Sequence, residues 1–235
     1  MLNQLRKPGS SSSHKGVINL SALSYDLLVN WLVMSGKEQA FRLWVTEVAG
    51  LGPGETVLDV GCGTGTLALV ANGRVGSTGQ VFGVDPSAQL LQGARHKAQR
   101  HGLEIDFRLG GIEQLPLADH SCDVVLSTFM MHHLPQDLKS QGLAEIVRVL
   151  KPGGRLLVVD FTTSPSPSSS QEQPTRVSGV GEGEHSLQSL LPLIQKAGIP
   201  QIESGAVPFH IRSLGGRRTG HQHYGFVLGR KLLEN

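Results

Sequence analysis

Val57-Leu58-Asp59-Val60-Gly61-Cys62-Gly63-Thr64-Gly65-Thr66-Leu67-Ala68-Leu69 is the stretch on which the fold turns. Its first four residues form a short apolar run carrying one acid, the pattern of a strand covered on both faces. Glycines at alternate positions then let the backbone turn sharply and leave main-chain N–H groups with no Cβ in front of them. From Thr66 the spacing is helical, and the N-terminus of that helix faces the same turn, where backbone amides can meet a polar or anionic ligand. A second acid, Asp85, closes the next apolar run, Val81-Phe82-Gly83-Val84. A carboxylate at that strand end can accept two hydrogen bonds from a ribose diol.

Working outward, strands are predicted at 56–60, 81–84, 104–109, 122–127 and 156–160, with helices through 71, over 87–100 and over 136–150. Pro152-Gly153-Gly154 reads as a turn leading into the unbroken apolar run at 156–160. Alternation of this kind, with short connections, implies parallel βαβ units joined by right-handed crossovers. A helix at 187–197, despite Pro192, and strands at 202–207 and 224–228 complete the expectation. The fold class is therefore α/β: a doubly wound, Rossmann-like, mostly parallel seven-stranded sheet with helices on both faces. Upstream, helical spacing covers 20–34 and 37–49, the second with Ala40, Phe41, Trp44, Val45, Val48 and Ala49 on one face and Gly50 as its stop. Residues 1–16, with Pro8-Gly9 and a serine run, read as a mobile arm. Residues 161–185, rich in Ser, Pro, Gly and Gln, read as a flexible insertion.

Composition narrows the function. Over 235 residues, Lys plus Arg number 21 and Asp plus Glu 19, a net charge of +2, so bulk electrostatic attraction to nucleic acid or an anionic membrane is not expected. Cys62 and Cys122 are the only cysteines and cannot make a disulfide framework, which points to a reducing compartment. No apolar run approaches the roughly 18 residues of a membrane span, and no apolar segment follows Arg6 and Lys7 as a signal peptide would require. A cytoplasmic protein is the expectation.

Leu58-Asp59-Val60-Gly61-Cys62-Gly63-Thr64-Gly65 resembles the first motif of class I S-adenosylmethionine-dependent methyltransferases. Val81-Phe82-Gly83-Val84-Asp85, Leu115-Pro116-Leu117, Cys122-Asp123-Val124-Val125-Leu126-Ser127 and Arg148-Val149-Leu150-Lys151-Pro152-Gly153-Gly154-Arg155 match further motifs in order. Met131-His132-His133-Leu134 adds similarity to the branch containing ubiquinone and menaquinone C-methyltransferases. The resemblance covers residues 25–160 well and the C-terminal quarter loosely. It implies S-adenosylmethionine as cofactor and a small, apolar or aromatic molecule as methyl acceptor. It also implies that residues 17–50 cap the substrate side of a domain spanning 51–235, with Tyr25 and Trp31 as candidate lid residues. By the same resemblance Asp59, Gly61, Cys62 and Gly63 surround the methionine portion of the cofactor. Asp85 holds the ribose, Ile112 offers a backbone N–H and an apolar wall to the adenine, and Ser127 lies beside the methionine end.

The chain departs from the family at Gly110-Gly111-Ile112, where Gly-Asp-Ala is common and the acid accepts from the adenine amino group. Gly111 cannot do so, and Glu113, two positions on, is the candidate replacement. The cofactor class carries an already activated methyl group, so the protein chiefly orients the reactants. A base is needed only where the nucleophile must lose a proton, and His132 and His133 are the candidates. His210, His221 and His223 lie with Arg212, Arg217 and Arg218 in a polar region where no Cys or carboxylate completes a ligand set, so no metal is expected. Arsenic chemistry is set aside because two cysteines are too few for it. A nicotinamide-dependent dehydrogenase shares the glycine turn and Asp85 but expects glycine where Thr66 stands. A catalytically silent binding module is the alternative that Gly111 and the 164–173 stretch suggest.

Overall fold

The strand predicted at 56–60 is β1 (Thr56–Val60), buried from Val57 onward because it runs between two parallel neighbours. The computed structural model describes residues 36–162, 186–209 and 223–233. In chain order it places α1 (Glu38–Val48) before β1. Then come α2 (Thr66–Val75), β2 (Gln80–Asp85), α3 (Ala88–Arg100), β3 (Asp106–Leu109), β4 (Cys122–Thr128) and α4 (Gln136–Val149). The series ends with β5 (Leu150–Thr162), α5 (Leu187–Lys196), β6 (Gln201–Ala206) and β7 (His223–Arg230), and short 3-10 turns lie at Gly76–Thr78 and Met131–His133. The mobile arm, the helix predicted at 20–34 with Tyr25 and Trp31, nearly all of the 161–185 insertion, and the 212–220 loop with His210 and His221 lie outside the described residues.

The strands form one seven-stranded sheet in the order β3-β2-β1-β4-β5-β7-β6. β3, β2, β1, β4 and β5 are mutually parallel, and β7 runs antiparallel to both of its neighbours. The chain winds outward from β1 to β3, returns to lay β4 against the other side of β1, and winds outward again. The reversal leaves a crevice above the carboxyl ends of β1 and β4, where sheets of this kind hold ligands. Because parallel strands need cover on both faces, alternate residues enter two cores. Val57, Val81, Val124, Leu126 and Leu157 pack under α1, α2 and α3 through Phe41, Leu67, Ala71 and Leu91. Leu58, Val60, Phe82, Val125 and Val158 pack under α4 and α5 through Leu143, Ile146, Leu190 and Ile194.

Two expectations need correction. The Pro152-Gly153-Gly154 turn is absorbed into β5: Cys122 faces Leu150, but Val124, two residues on, faces Arg155, so extra chain is bulged out between those pairs. Gly153, at φ +76°, supplies the left-handed residue that such a bulge favours. The insertion also starts later than 161, because Phe161 and Thr162 continue β5 by pairing with Tyr224 and His223.

Helix α1 crosses the sheet from rim to rim. At its C-terminal end Arg155 donates from Nε to the Ala49 carbonyl and from Nη2 to that of Gly50 at 2.7 Å, and it holds Glu55 through both Nη atoms at 2.8 Å. At the opposite rim Arg42 Nη1 donates to Thr128 Oγ1 at 3.1 Å.

Candidate active site

Gly61, Gly63 and Gly65 all have φ between +55° and +74°, the left-handed region that side chains resist. Space matters as well. A Cβ on Gly61 would stand 2.5 Å from Met130 Cγ, and one on Gly65 would stand 2.7 Å from the Phe107 ring. The Gly61 and Cys62 N–H groups both donate to the Val84 carbonyl, at 2.8 and 3.1 Å, which stitches the turn to β2. Asp85 completes the seam: Oδ2 accepts the Gly63 N–H at 2.9 Å and Oδ1 accepts the Ser87 N–H at 2.8 Å. Asp85 thus shapes the turn from within, and burial pushes its carboxyl above the ordinary range despite those two amides. From α3, Lys97 Nζ reaches Thr64 Oγ1 at 3.2 Å and Thr66 Oγ1 at 3.0 Å. The Cys62 thiol is buried, and burial foremost drives its pKa well up, so its side chain is inert filler.

Asp59 lies one residue pair below the rim on the α1 face, almost wholly buried. Its Oδ2 has no hydrogen-bond partner. Burial raises its pKa to about 7, the Arg42 guanidinium pulls it down, and the Asp85 charge pushes it further up. Arg42 itself, bonded through Nη1 to Thr128 and through Nη2 to Glu38 at 3.5 Å, has a buried Nε with no partner. Ser127 Oγ, at the end of β4 on the other face, is also buried and unpartnered. Each such atom costs about 1–3 kcal/mol if nothing meets it. An orphaned carboxylate oxygen and an orphaned guanidinium nitrogen, on residues whose charges act on each other, suit a ligand that carries both an ammonium and a carboxylate, as the methionine portion of S-adenosylmethionine does. The residues present fit that group. Arg42 escaped the sequence reading, although an arginine between Phe41 and the buried face of a helix was a visible signal.

The segment after β3 carries Ile112. Its side chain is buried against α4, where a Cβ on Gly142 would stand 2.6 Å from its Cδ1 and Cγ1 atoms. Glu113 is better placed than its sequence position suggested. Its carboxylate folds back over Gly111, with Cδ 2.6 Å from the point a Cβ on Gly111 would occupy. The acid missing at 111 is restored in space from 113.

Beyond β4 the chain passes through Phe129 at φ +54°, a strained conformation for a bulky residue, and into the Met131–His133 turn. His132 Nδ1 lies 2.7 Å from Asp160 Oδ1, and the His132 N–H donates to Asp160 Oδ2 at 3.1 Å. Asp160, near the end of β5 and 1% exposed, also accepts the Phe161 N–H at 2.8 Å. His133 is exposed and lies against His132 with ring centroids 3.8 Å apart and the rings tilted by 44°. Phe161 meets the His132 ring edge-on at 4.4 Å, Tyr224 lies 5.0 Å from Phe161, and Phe129 packs between Phe41 and Tyr224 at 5.4 and 5.7 Å. Asp160 was also missed, though it closes the run Leu156-Leu157-Val158-Val159 as Asp85 closes β2. Among the described residues no group of His, Cys, Asp and Glu is arranged to hold a metal ion. No described helix is long and apolar enough to cross a membrane.

The sheet order, the glycine turn and Asp85 are features that this chain shares with known proteins. Residues 57–154 match the protein family described as "Methyltransferase domain". Over this stretch the chain resembles class I S-adenosylmethionine-dependent methyltransferases, the UbiE group among them. It is 35% identical over 146 residues to the ubiquinone/menaquinone biosynthesis C-methyltransferase UbiE of Laribacter hongkongensis, covering 62% of this chain and 59% of that one. It is 36% identical over 157 residues to an arsenite methyltransferase of Halobacterium salinarum, covering 66% of this chain and 40% of that one. The chain thus spans between two fifths and three fifths of the length of these curated relatives. The structure of a SAM-dependent methyltransferase from Aquifex aeolicus superposes with a TM-score of 0.62 at 21% identity, covering 90% of this chain and 97% of that one, and so shares the fold.

Proposed function

We propose that this chain transfers the methyl group of S-adenosylmethionine to a small apolar or aromatic acceptor lying at the carboxyl rim of β4 and β5. The observation that carries the reading is that Asp59 Oδ2 and Arg42 Nε are both buried polar atoms without hydrogen-bond partners, on two residues whose charges act on each other. The bound cofactor supplies an electrophilic methyl carbon on a sulfonium. Asp59 meets its ammonium and Arg42 its carboxylate, while the Gly61–Gly63 backbone, with Cys62, lines the methionine portion. Asp85 takes the ribose, and Glu113 takes the adenine amino group beside the Ile112 N–H. Ser127 orients the methionine end with its hydroxyl. Burial of these groups keeps water out, which strengthens each contact.

Phe129, Phe161 and Tyr224, gathered next to His132, support an acceptor with an apolar or aromatic face. Arsenite fits less well. Cys62 and Cys122 are buried in separate cores on opposite faces of the sheet, and burial raises both thiols. Isothermal titration tests the function: S-adenosylmethionine and S-adenosylhomocysteine are expected to bind with micromolar dissociation constants and NAD not at all. No heat with either sulfur compound at millimolar concentration overturns the proposal.

Glu113 has its own prediction. Glu113→Ala is expected to weaken S-adenosylhomocysteine binding about tenfold or more, the worth of a charge-assisted hydrogen bond of about 1.5–3 kcal/mol. Adding Gly111→Asp to that variant is expected to recover most of the loss, because a carboxylate then grows from the point Glu113 now covers. Titration of both variants that shows no difference from the parent removes the adenine role.

A further inference from the structure

The His132–Asp160 pair ties the Met131–His133 turn to the end of β5, and its geometry carries more than a packing contact. Asp160 is 1% exposed, and each of its oxygens is fixed by a backbone amide: Oδ2 by His132 at 3.1 Å and Oδ1 by Phe161 at 2.8 Å. A carboxylate held in this way accepts from its neighbours, so the ring nitrogen 2.7 Å from Oδ1 is the one bearing hydrogen. With the proton on Nδ1, the neutral imidazole has its basic lone pair on Nε2. His132 is 18% exposed at the same rim as the cofactor crevice, with Phe161 against its edge. Among the described residues, the titratable groups on the elements around it include His133 on its own turn, Asp160 on β5 and Tyr224 on β7.

We propose that His132 takes a proton from the methyl acceptor, that Asp160 is the positioning residue which fixes its tautomer, and that the acceptor is therefore protic: a hydroxyl or an acidic C–H whose conjugate base is the nucleophile. This rests on the methyltransferase reading and narrows it to one acceptor chemistry. In the step, the acceptor's O–H or C–H proton passes to His132 Nε2. The electron pair left on oxygen or carbon makes the bond to the methyl carbon as the pair of the methyl–sulfur bond withdraws onto sulfur. The imidazolium then returns its proton to solvent. Atoms and charge balance with no redox partner. A thiolate or arsenite acceptor would need no such base, because each already presents a lone pair at neutral pH.

Two measurements on the full chain test this, the first of which needs no turnover. With histidine ring nitrogens labelled and S-adenosylhomocysteine added, the ¹⁵N spectrum at pH 8 is expected to show His132 protonated at Nδ1. In Asp160→Asn, whose side-chain amide can turn a donor toward the ring, the proton is expected on Nε2; an unchanged tautomer overturns the positioning role. In the second measurement 1-naphthol and catechol serve as protic probes, with arsenite and with glutathione above about pH 9, where its thiol is mostly thiolate, as the contrasting pair. Methylation of the protic probes is expected. Asp160→Asn is expected to lower kcat about 10²–10⁴-fold with KM within threefold, as loss of the correct tautomer does in other histidine bases. His132→Ala is expected to lose turnover and regain part of it with added imidazole, which a merely structural histidine would not do. Transfer only to glutathione or arsenite, or to no probe while S-adenosylhomocysteine still binds, overturns the protic acceptor and leaves the methyltransferase reading standing. Absence of S-adenosylhomocysteine binding overturns that reading itself.

Discussion

Asp85→Ala is expected to weaken S-adenosylmethionine binding by at least tenfold and to lower the melting temperature as well. The affinity loss follows from removing a carboxylate from the ribose, a charge-assisted interaction of about 1.5–3 kcal/mol. The stability loss comes from a different set of contacts, because Asp85 also accepts the Gly63 and Ser87 N–H groups. Truncation leaves both amides buried without an acceptor, at about 1–3 kcal/mol apiece, and frees the turn that the cofactor must approach. Asp85→Asn separates the two effects: its one carbonyl oxygen still serves an amide, so the melting temperature falls less while the charge-dependent affinity is still lost. Titration calorimetry and a thermal melt on the same samples check both. Unchanged affinity in Asp85→Ala removes the ribose assignment.

Asp59→Asn is expected to move stability and affinity in opposite directions. The Asp59 carboxyl titrates near 7 in the folded chain against 3.8 for the ordinary group, chiefly through burial. A raised carboxyl means that the folded state binds this proton more tightly than the unfolded chain. Its stability cost is therefore complete above about pH 7 and vanishes as pH falls toward 4. The shift corresponds to about 4 kcal/mol, from which an unsatisfied amide in the asparagine takes back about 1–3 kcal/mol. At pH 8 without ligand the variant is expected to melt about 2–8 °C higher than the parent. At pH 5, where the parent carboxyl is already protonated, most of that gain disappears. Binding moves the other way: without the counter-charge to its ammonium, the cofactor is expected to bind about 30–100-fold more weakly. A variant that melts lower at pH 8 or binds as the parent does contradicts this reading of the crevice.

Much of this was legible in the chain because parallel βαβ folds advertise themselves locally. Each apolar run, its closing acid and the glycine turn lie within a few residues of one another, so β1, the turn and Asp85 could be read directly. What escaped was tertiary. Arg42 enters the crevice only because α1 spans the sheet, and nothing local to residues 37–49 says which rim it will reach. Glu113 folds its carboxylate back over Gly111, which a linear motif cannot express. Asp160 carried the same signature as Asp85, an acid ending an apolar run, and became informative only when β5 lay beside the Met131–His133 turn. The Pro152–Gly154 segment failed for the opposite reason. Its residues favour a turn, and the pairing of β4 with β5 on either side drew them into the strand as a bulge.

The anchorage of α1 has a consequence for cofactor recognition. An eleven-residue helix is a stiff rod roughly 16 Å long, and this one is clamped by Arg155 at the rim farthest from the ligand. The height at which Arg42 stands over the crevice is set like the arm of a balance, from its remote end. A substitution that loosens the hold of Arg155 on the Ala49 and Gly50 carbonyls is therefore expected to displace Arg42 at the opposite rim.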